Sequence, residues 1–109
     1  MAPVTACAII LPMIRSFATQ ATADIYHGED TKAARRLCPQ EVWKVARRKL
    51  DQVHAASRLE ALRVPPANML EKLAHDRKGQ WAIRVNDRLR LCLRWEGTDA
   101  HDVEIVDYH

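Results

Sequence analysis

The sequence predicts an α+β domain, with a small antiparallel sheet in the C-terminal third and helices before it. Three observations predict this class. Trp81, Ile83 and Val85, then Leu89, Leu91, Leu93 and Trp95, alternate with a period of two around an Asn86-Asp87 turn, as in a hairpin with one buried face. Val42, Val45/Ala46, Lys49/Leu50 and Val53 instead recur at i, i+3/i+4, which is one face of a helix. A chain of 109 residues suits one core rather than two.

Taken in order, residues 1–12 carry no charge and read as an extension that is disordered or not native, so the single domain is placed at 13–109 with Met13 as its functional start. Met13-Ile14-Arg15-Ser16-Phe17 reads as a short first strand, with Ile14 and Phe17 available to a core. Ala21 to His27 is weakly helical and Gly28 closes it. Pro39 to Ala56 is the clearest helix, because Pro39 suits a first turn and Glu41 suits the positive N-terminal end. Trp43 on this helix is half-buried or a partner contact. Pro65-Pro66 interrupts regular structure, and Asn68 to Leu73 resumes as a candidate strand before a charged turn at His75 to Gly79. After the hairpin, Glu96-Gly97-Thr98-Asp99 reverses the chain, and Val103 and Ile105 continue the core face. Trp81 and Trp95 fall on the buried parity.

The net charge of +3 and the pI near 9.0 are mild, but the charges are segregated. Seven Lys or Arg and two acids lie between Lys72 and Trp95, whereas Glu96 to His109 holds five acids and no Lys or Arg. By parity Arg84, Arg88, Arg90 and Arg94 share the face opposite the Leu/Trp stripe, with Glu104 and Tyr108, and such a face attracts phosphates. Cys92 lies on it as a small filler whose thiol is open to modification. Asp107 and His109 sit where the strand ends. A second basic cluster, Arg35, Arg36, Lys44, Arg47, Arg48 and Lys49, is either a solvated helix face or a surface for RNA or an acidic partner.

Three cysteines with no CxxC pair argue against a disulfide framework and fit a reducing cytoplasm. No apolar run approaches the roughly 20 residues that span a bilayer, so no membrane partner is expected. There is no Walker loop, GxGxxG or HExxH, and the five histidines have no ligand spacing with cysteine, so neither a metal nor a cofactor is expected. What remains are groups suited to metal-free cleavage of an RNA phosphodiester: a base for the 2′-hydroxyl, a fixed cation for the phosphorane and an acid for the departing 5′-oxygen. His109, Asp107, Arg90 and Tyr108 can supply these, and Arg90 suits the phosphate because its planar fork donates two hydrogen bonds.

The run Gly79-Gln80-Trp81-Ala82-Ile83-Arg84-Val85-Asn86-Asp87-Arg88-Leu89-Arg90-Leu91-Cys92-Leu93-Arg94-Trp95, with Val103-Glu104-Ile105-Val106-Asp107-Tyr108-His109, resembles the C-terminal half of HigB toxins in the RelE superfamily. Met13 to Phe17, Leu70 to Leu73 and Asp76-Arg77 extend the resemblance. It implies a RelE-like twisted antiparallel sheet with N-terminal helices packed on one face. The implied activity is that of a ribosome-dependent mRNA interferase, an endoribonuclease that cuts mRNA in the ribosomal A site and so inhibits translation. The implied partners are the ribosome, mRNA and a HigA-like helix-turn-helix antitoxin of a type II pair.

Carried over by position, Arg90 is the arginine that contacts the scissile phosphate, and Asp107, Tyr108 and His109 form the terminal acid–aromatic–histidine group for acid/base work and stacking. Lys72, Arg77, Lys78, Arg84, Arg88 and Arg94 are the expected RNA-binding set. Relatives commonly read Lys-Gly-Asp-Arg where this chain has Ala74-His75-Asp76-Arg77, so His75, Lys72 or Lys78 takes the lysine's place or activity is reduced. Two rivals remain from the same fold: a ParE-like gyrase inhibitor and a catalytically degenerate binding module.

Overall fold

A computed structural model describes residues 13–107, so the expectations for residues 1–12, Tyr108 and His109 lie outside the described residues. Among the described residues, three α-helices precede a four-stranded antiparallel meander. They are α1 (Gln20–His27), α2 (Lys32–Leu37) and α3 (Gln40–Ala55). The strands are β1 (Glu71–Lys72), β2 (Trp81–Arg84), β3 (Leu89–Glu96) and β4 (Asp99–Asp107), neighbours in that order. This is the predicted α+β class.

The chain before α1 makes isolated parallel bridges, Ile14 with Ala100 and Phe17 with Val103, rather than a strand. The bridges are three residues apart because β4 bulges between them. The β3–β4 register shifts between Cys92 and Arg94, and Asp102 takes φ +52°. An extra residue there breaks the period of two and so prevents a continuous ladder along that edge.

Thr19 caps α1 by accepting a hydrogen bond from the Thr22 N–H at 3.2 Å, and Gly28 closes it at φ +77°, a left-handed conformation that costs glycine little. The Thr22 hydroxyl accepts from the Ile105 N–H at 3.1 Å, which ties α1 to β4. Helix α2 was not foreseen. Its N-cap Thr31 accepts from the Ala34 N–H at 3.1 Å and donates to Asp24 at 2.8 Å, while Gln20 donates to the same carboxylate at 2.8 Å. Asp24 thus joins α1 to α2.

The bonds from Gln20 and Thr31 hold the Asp24 carboxyl below its ordinary 3.8. The unfolded chain therefore takes up that proton more readily than the folded one. The charged Asp24 stabilises the fold above pH 3.8, and the contribution disappears as pH falls through the lower folded value. The melting-temperature gap between wild type and Asp24→Asn should be widest near neutrality and shrink in acid; a gap constant across the acid range would remove the carboxylate charge from this joint.

Ala46, Leu50 and Val53 are buried on one face of α3, at the predicted spacing. They pack with Ile25 of α1 against Ile83, Leu91, Leu93, Val103 and Ile105 of the sheet. Trp43 is half-buried and its indole donates to the Cys38 carbonyl at 2.7 Å. Burial pushes the Cys38 thiol up to about 11, which makes it inert near neutral pH.

The stretch around Pro65-Pro66 is more ordered than predicted. Leu59–Arg63 and Pro66–Asn68 are 3-10 helices, the second begun by Pro66, whose fixed φ suits a first turn. Asn68 is fully buried between them, donating to the Leu62 and Val64 carbonyls and to Gln52. With Met69 at φ +49°, the candidate strand over Asn68 to Leu73 shrinks to Glu71–Lys72.

Candidate functional site

The hairpin turn sets the site. The Asn86 side-chain oxygen accepts from the N–H groups of Arg88 (2.9 Å) and Leu89 (2.8 Å), which closes the turn, and its backbone carbonyl accepts from Arg90 Nη1 at 2.7 Å. Arg90 Nη1 also donates to the Leu89 carbonyl at 3.1 Å. The half-buried Arg90 is therefore oriented by main-chain oxygens at the start of β3. Asn86 was read only as a turn residue, yet an Asn that bonds the backbone two and three residues on is the signature that could have marked it as the positioner.

Antiparallel register pairs Arg84 with Arg90 and Arg90 with Val106, opposite in parity to the buried row of Ile83, Leu91 and Ile105. One pair of positions along, Ala82, Cys92 and Glu104 form the next row. Arg77 reaches over this row, its Nη1 donating to Glu104 Oε1 at 3.2 Å and Gln80 Oε1 at 3.1 Å. Ala82 and Cys92 are fully buried beneath, so Cys92 is the small filler expected there and its thiol is not open to modification. Arg94 follows, paired with Asp102 at 3.4 Å and aligned with His101. A side chain on Gly79 would approach Arg94 Nη1 to 3.1 Å, so the absent Cβ there, at φ +91°, lets the guanidinium lie across the turn.

The structure brings Arg77, Arg84, Arg90 and Arg94 to this face but not the whole predicted set. Arg88 sits in the turn and pairs with Asp107 at 3.0 Å. Together they line a cavity of about 240 Å³ with Arg36, Leu37 and Pro39 of the helical layer, none of which was singled out for the site. Lys72 is placed on the other parity, aligned with Trp81, its ammonium 6.0 Å from that ring's centroid. Trp81 is half-buried rather than core, since the two-residue β1 leaves the sheet edge there uncovered. His75, at φ +54°, and Lys78 are exposed on either side of Arg77 in the connection from β1 to β2. His101, simply a surface residue on the sequence, lies half-buried beside Arg94.

The charge segregation along the chain becomes pairing in space. Because β4 lies beside β3, Arg77 meets Glu104, Arg88 meets Asp107 and Arg94 meets Asp102, while Arg84 is paired with Asp87. Most of these partners are substantially exposed, and such pairs are worth only about 0–1 kcal/mol, so incoming phosphates can exchange for the carboxylates. Arginine in this setting offers bidentate hydrogen bonds to non-bridging oxygens. Among the described residues, no three His, Cys, Asp or Glu side chains are grouped to hold a metal ion, and no helix is long and apolar enough to cross a membrane.

A family model described as the RelE-like toxin HigB of type II toxin–antitoxin systems matches residues 15–109. The chain is 40% identical over 67 residues to Toxin HigB-1 of Vibrio cholerae, covering 62% of this chain and 70% of that one. It is 35% identical over 65 residues to an uncharacterized protein of Haemophilus influenzae, covering 60% of this chain and 64% of that protein, a little under two thirds of its length.

Proposed function

The chain belongs to the HigB-like, RelE-type toxins of type II toxin–antitoxin systems, and from that premise we propose that it is a ribosome-dependent mRNA interferase. It cuts message in the A site, in the cytoplasm, and is held in check by a HigA-like antitoxin. The observation that carries this reading is the half-buried Arg90, oriented by the Asn86 and Leu89 carbonyls on a sheet face that also presents Arg77, Arg84 and Arg94.

In the proposed reaction the 2′-oxygen of one nucleotide loses its proton to a base and attacks the adjoining phosphorus. The P–O5′ bond breaks, the 5′-oxygen receives a proton, and a 2′,3′-cyclic phosphate remains. Charge gathers on the non-bridging oxygens as the phosphorane forms, and Arg90 is the cation assigned to them. Asp107, at the end of β4, and Tyr108 and His109 beyond it are assigned the proton transfers and base stacking. His75 is assigned the vicinity of the phosphate in place of the lysine that relatives carry at Ala74.

Primer extension on a message translated in vitro tests the proposal. Cuts at codon edges that require ribosomes are expected, and His109→Gln should abolish them and relieve growth arrest on expression. Gyrase inhibition without cleavage would overturn the reading in favour of a ParE-like role, and uncut message with active gyrase would leave a non-catalytic binding module.

A further inference from the structure

A groove of about 890 Å³ runs between α3, the loop around Pro65 to Met69 and the β2–β3 turn, and of its lining only Arg84 belongs to the arginine face described above. Its floor is apolar, with Val45, Pro65 and Met69 among the lining. Met69 is 60% exposed and the adjoining Val64 66%, the exposed large hydrophobic residues among those described. Apolar side chains grouped on a surface and rimmed by charge mark an interaction site.

The rim carries three cations, Arg48 and Lys49 from α3 and Arg84 from β2, against one carboxylate, Asp87. Asp87 is already paired with Arg84, but its side chain is 88% exposed, so the pair is readily exchanged. Burial, and next the charge of Arg48, press the Lys49 ammonium below the usual lysine range, and it donates to Asn68 Oδ1, which leaves Arg48 and Arg84 as the cations turned to a ligand.

Nucleic acid would satisfy the rim, but the lining holds no aromatic side chain on which a base could stack. A peptide with carboxylates flanking an apolar side chain would satisfy both rim and floor. We infer that the groove docks an acidic, apolar-anchored segment of the antitoxin, its carboxylates on Arg48 and Arg84 and its apolar side chain against Met69. This rests on the antitoxin partnership in the reading above and not on the cleavage chemistry. Since Arg84 is also the cross-strand partner of Arg90, an occupied groove removes a cation from the edge of the phosphate-binding face while leaving Arg90 uncovered.

The test is calorimetric titration of the full-length toxin with its purified HigA-like antitoxin. Met69→Glu and Arg48→Glu should each raise Kd by about tenfold or more, as loss or reversal of an interfacial contact does. Lys32→Glu, on exposed α2, should leave it unchanged. Unchanged affinity in both groove variants, with melting temperatures kept, overturns the assignment. So does an Arg48→Glu protein that loses ribosome binding while keeping the antitoxin, which would give the groove to RNA. A wild-type protein that binds no antitoxin overturns the partnership and the groove together.

Discussion

Arg90→Ala should lower ribosome-dependent message cleavage by about 10²–10³-fold, the range typical of losing one donor aimed at developing oxyanion charge. The effect should fall on the chemical step. In the free protein Arg90 is aimed by the Asn86 and Leu89 carbonyls, so its guanidinium is placed before substrate arrives and costs little reorganisation when the phosphorane forms. Ribosome binding, proposed to be spread over the other arginines of the face, should change far less. Arg90→Lys should recover only part of the rate, because an ammonium keeps the charge but loses the planar fork. Single-turnover cleavage with primer extension measures the rate, and thermal melting confirms the fold; wild-type cleavage by a folded Arg90→Ala protein would remove this residue from the chemistry.

Leu91→Ala should cost about 2–5 kcal/mol of stability through the cavity it leaves. Leu91 is fully buried at the middle of β3, with Ile83 and Ile105 as its partners on the two flanking strands and the helices packed over all three. Neighbours held by two ladders cannot collapse into the gap. At about 4–8 °C per kcal/mol for a domain near this size, the melting temperature should fall by about 8–40 °C. A drop of only a few degrees would show that the helices settle into the space. The two substitutions lie one residue apart on opposite faces of one strand, yet one should move rate without stability and the other stability first.

Which elements were legible follows from how each is held. The hairpin and α3 announce themselves because a long run of Leu, Ile and Val repeats at one period, so burial on one face leaves a trace in the sequence. Helix α2 leaves none. Its six residues bury only Ala34, and it is fixed by Thr31 and by Asp24 seven residues earlier, a tertiary joint rather than a pattern. The bulge at Asp102 was invisible for a related reason: one inserted residue carries no composition, and an aspartate there holds a positive φ where glycine would have given the sign.

In the site, parity correctly grouped Arg84, Arg90 and Arg94 because they lie inside regular strands. It failed for Arg88, which belongs to the turn, and it could not be applied to Lys72, whose face is fixed by a two-residue pairing that no periodicity could show. The pairing of each arginine with an acid of β4 or the turn could be read only once strand order was known. Of those acids, parity had placed only Glu104 on the arginine face.

The bridges between Ile14 and Ala100 and between Phe17 and Val103 also impose an order in time. Ser16 Oγ accepts from the Asp102 N–H across 86 residues, so the edge of the sheet nearest the N-terminal segment cannot close until β4 has been made. The three helices and the first hairpin can gather earlier, since their contacts are local. A ribosome making this protein thus releases the segment that completes β4's outer edge nearly a whole chain before its partner exists. The outer edge of the sheet therefore closes only after residues 99–107 are free to pair, later than the local contacts of the helices and of the first hairpin.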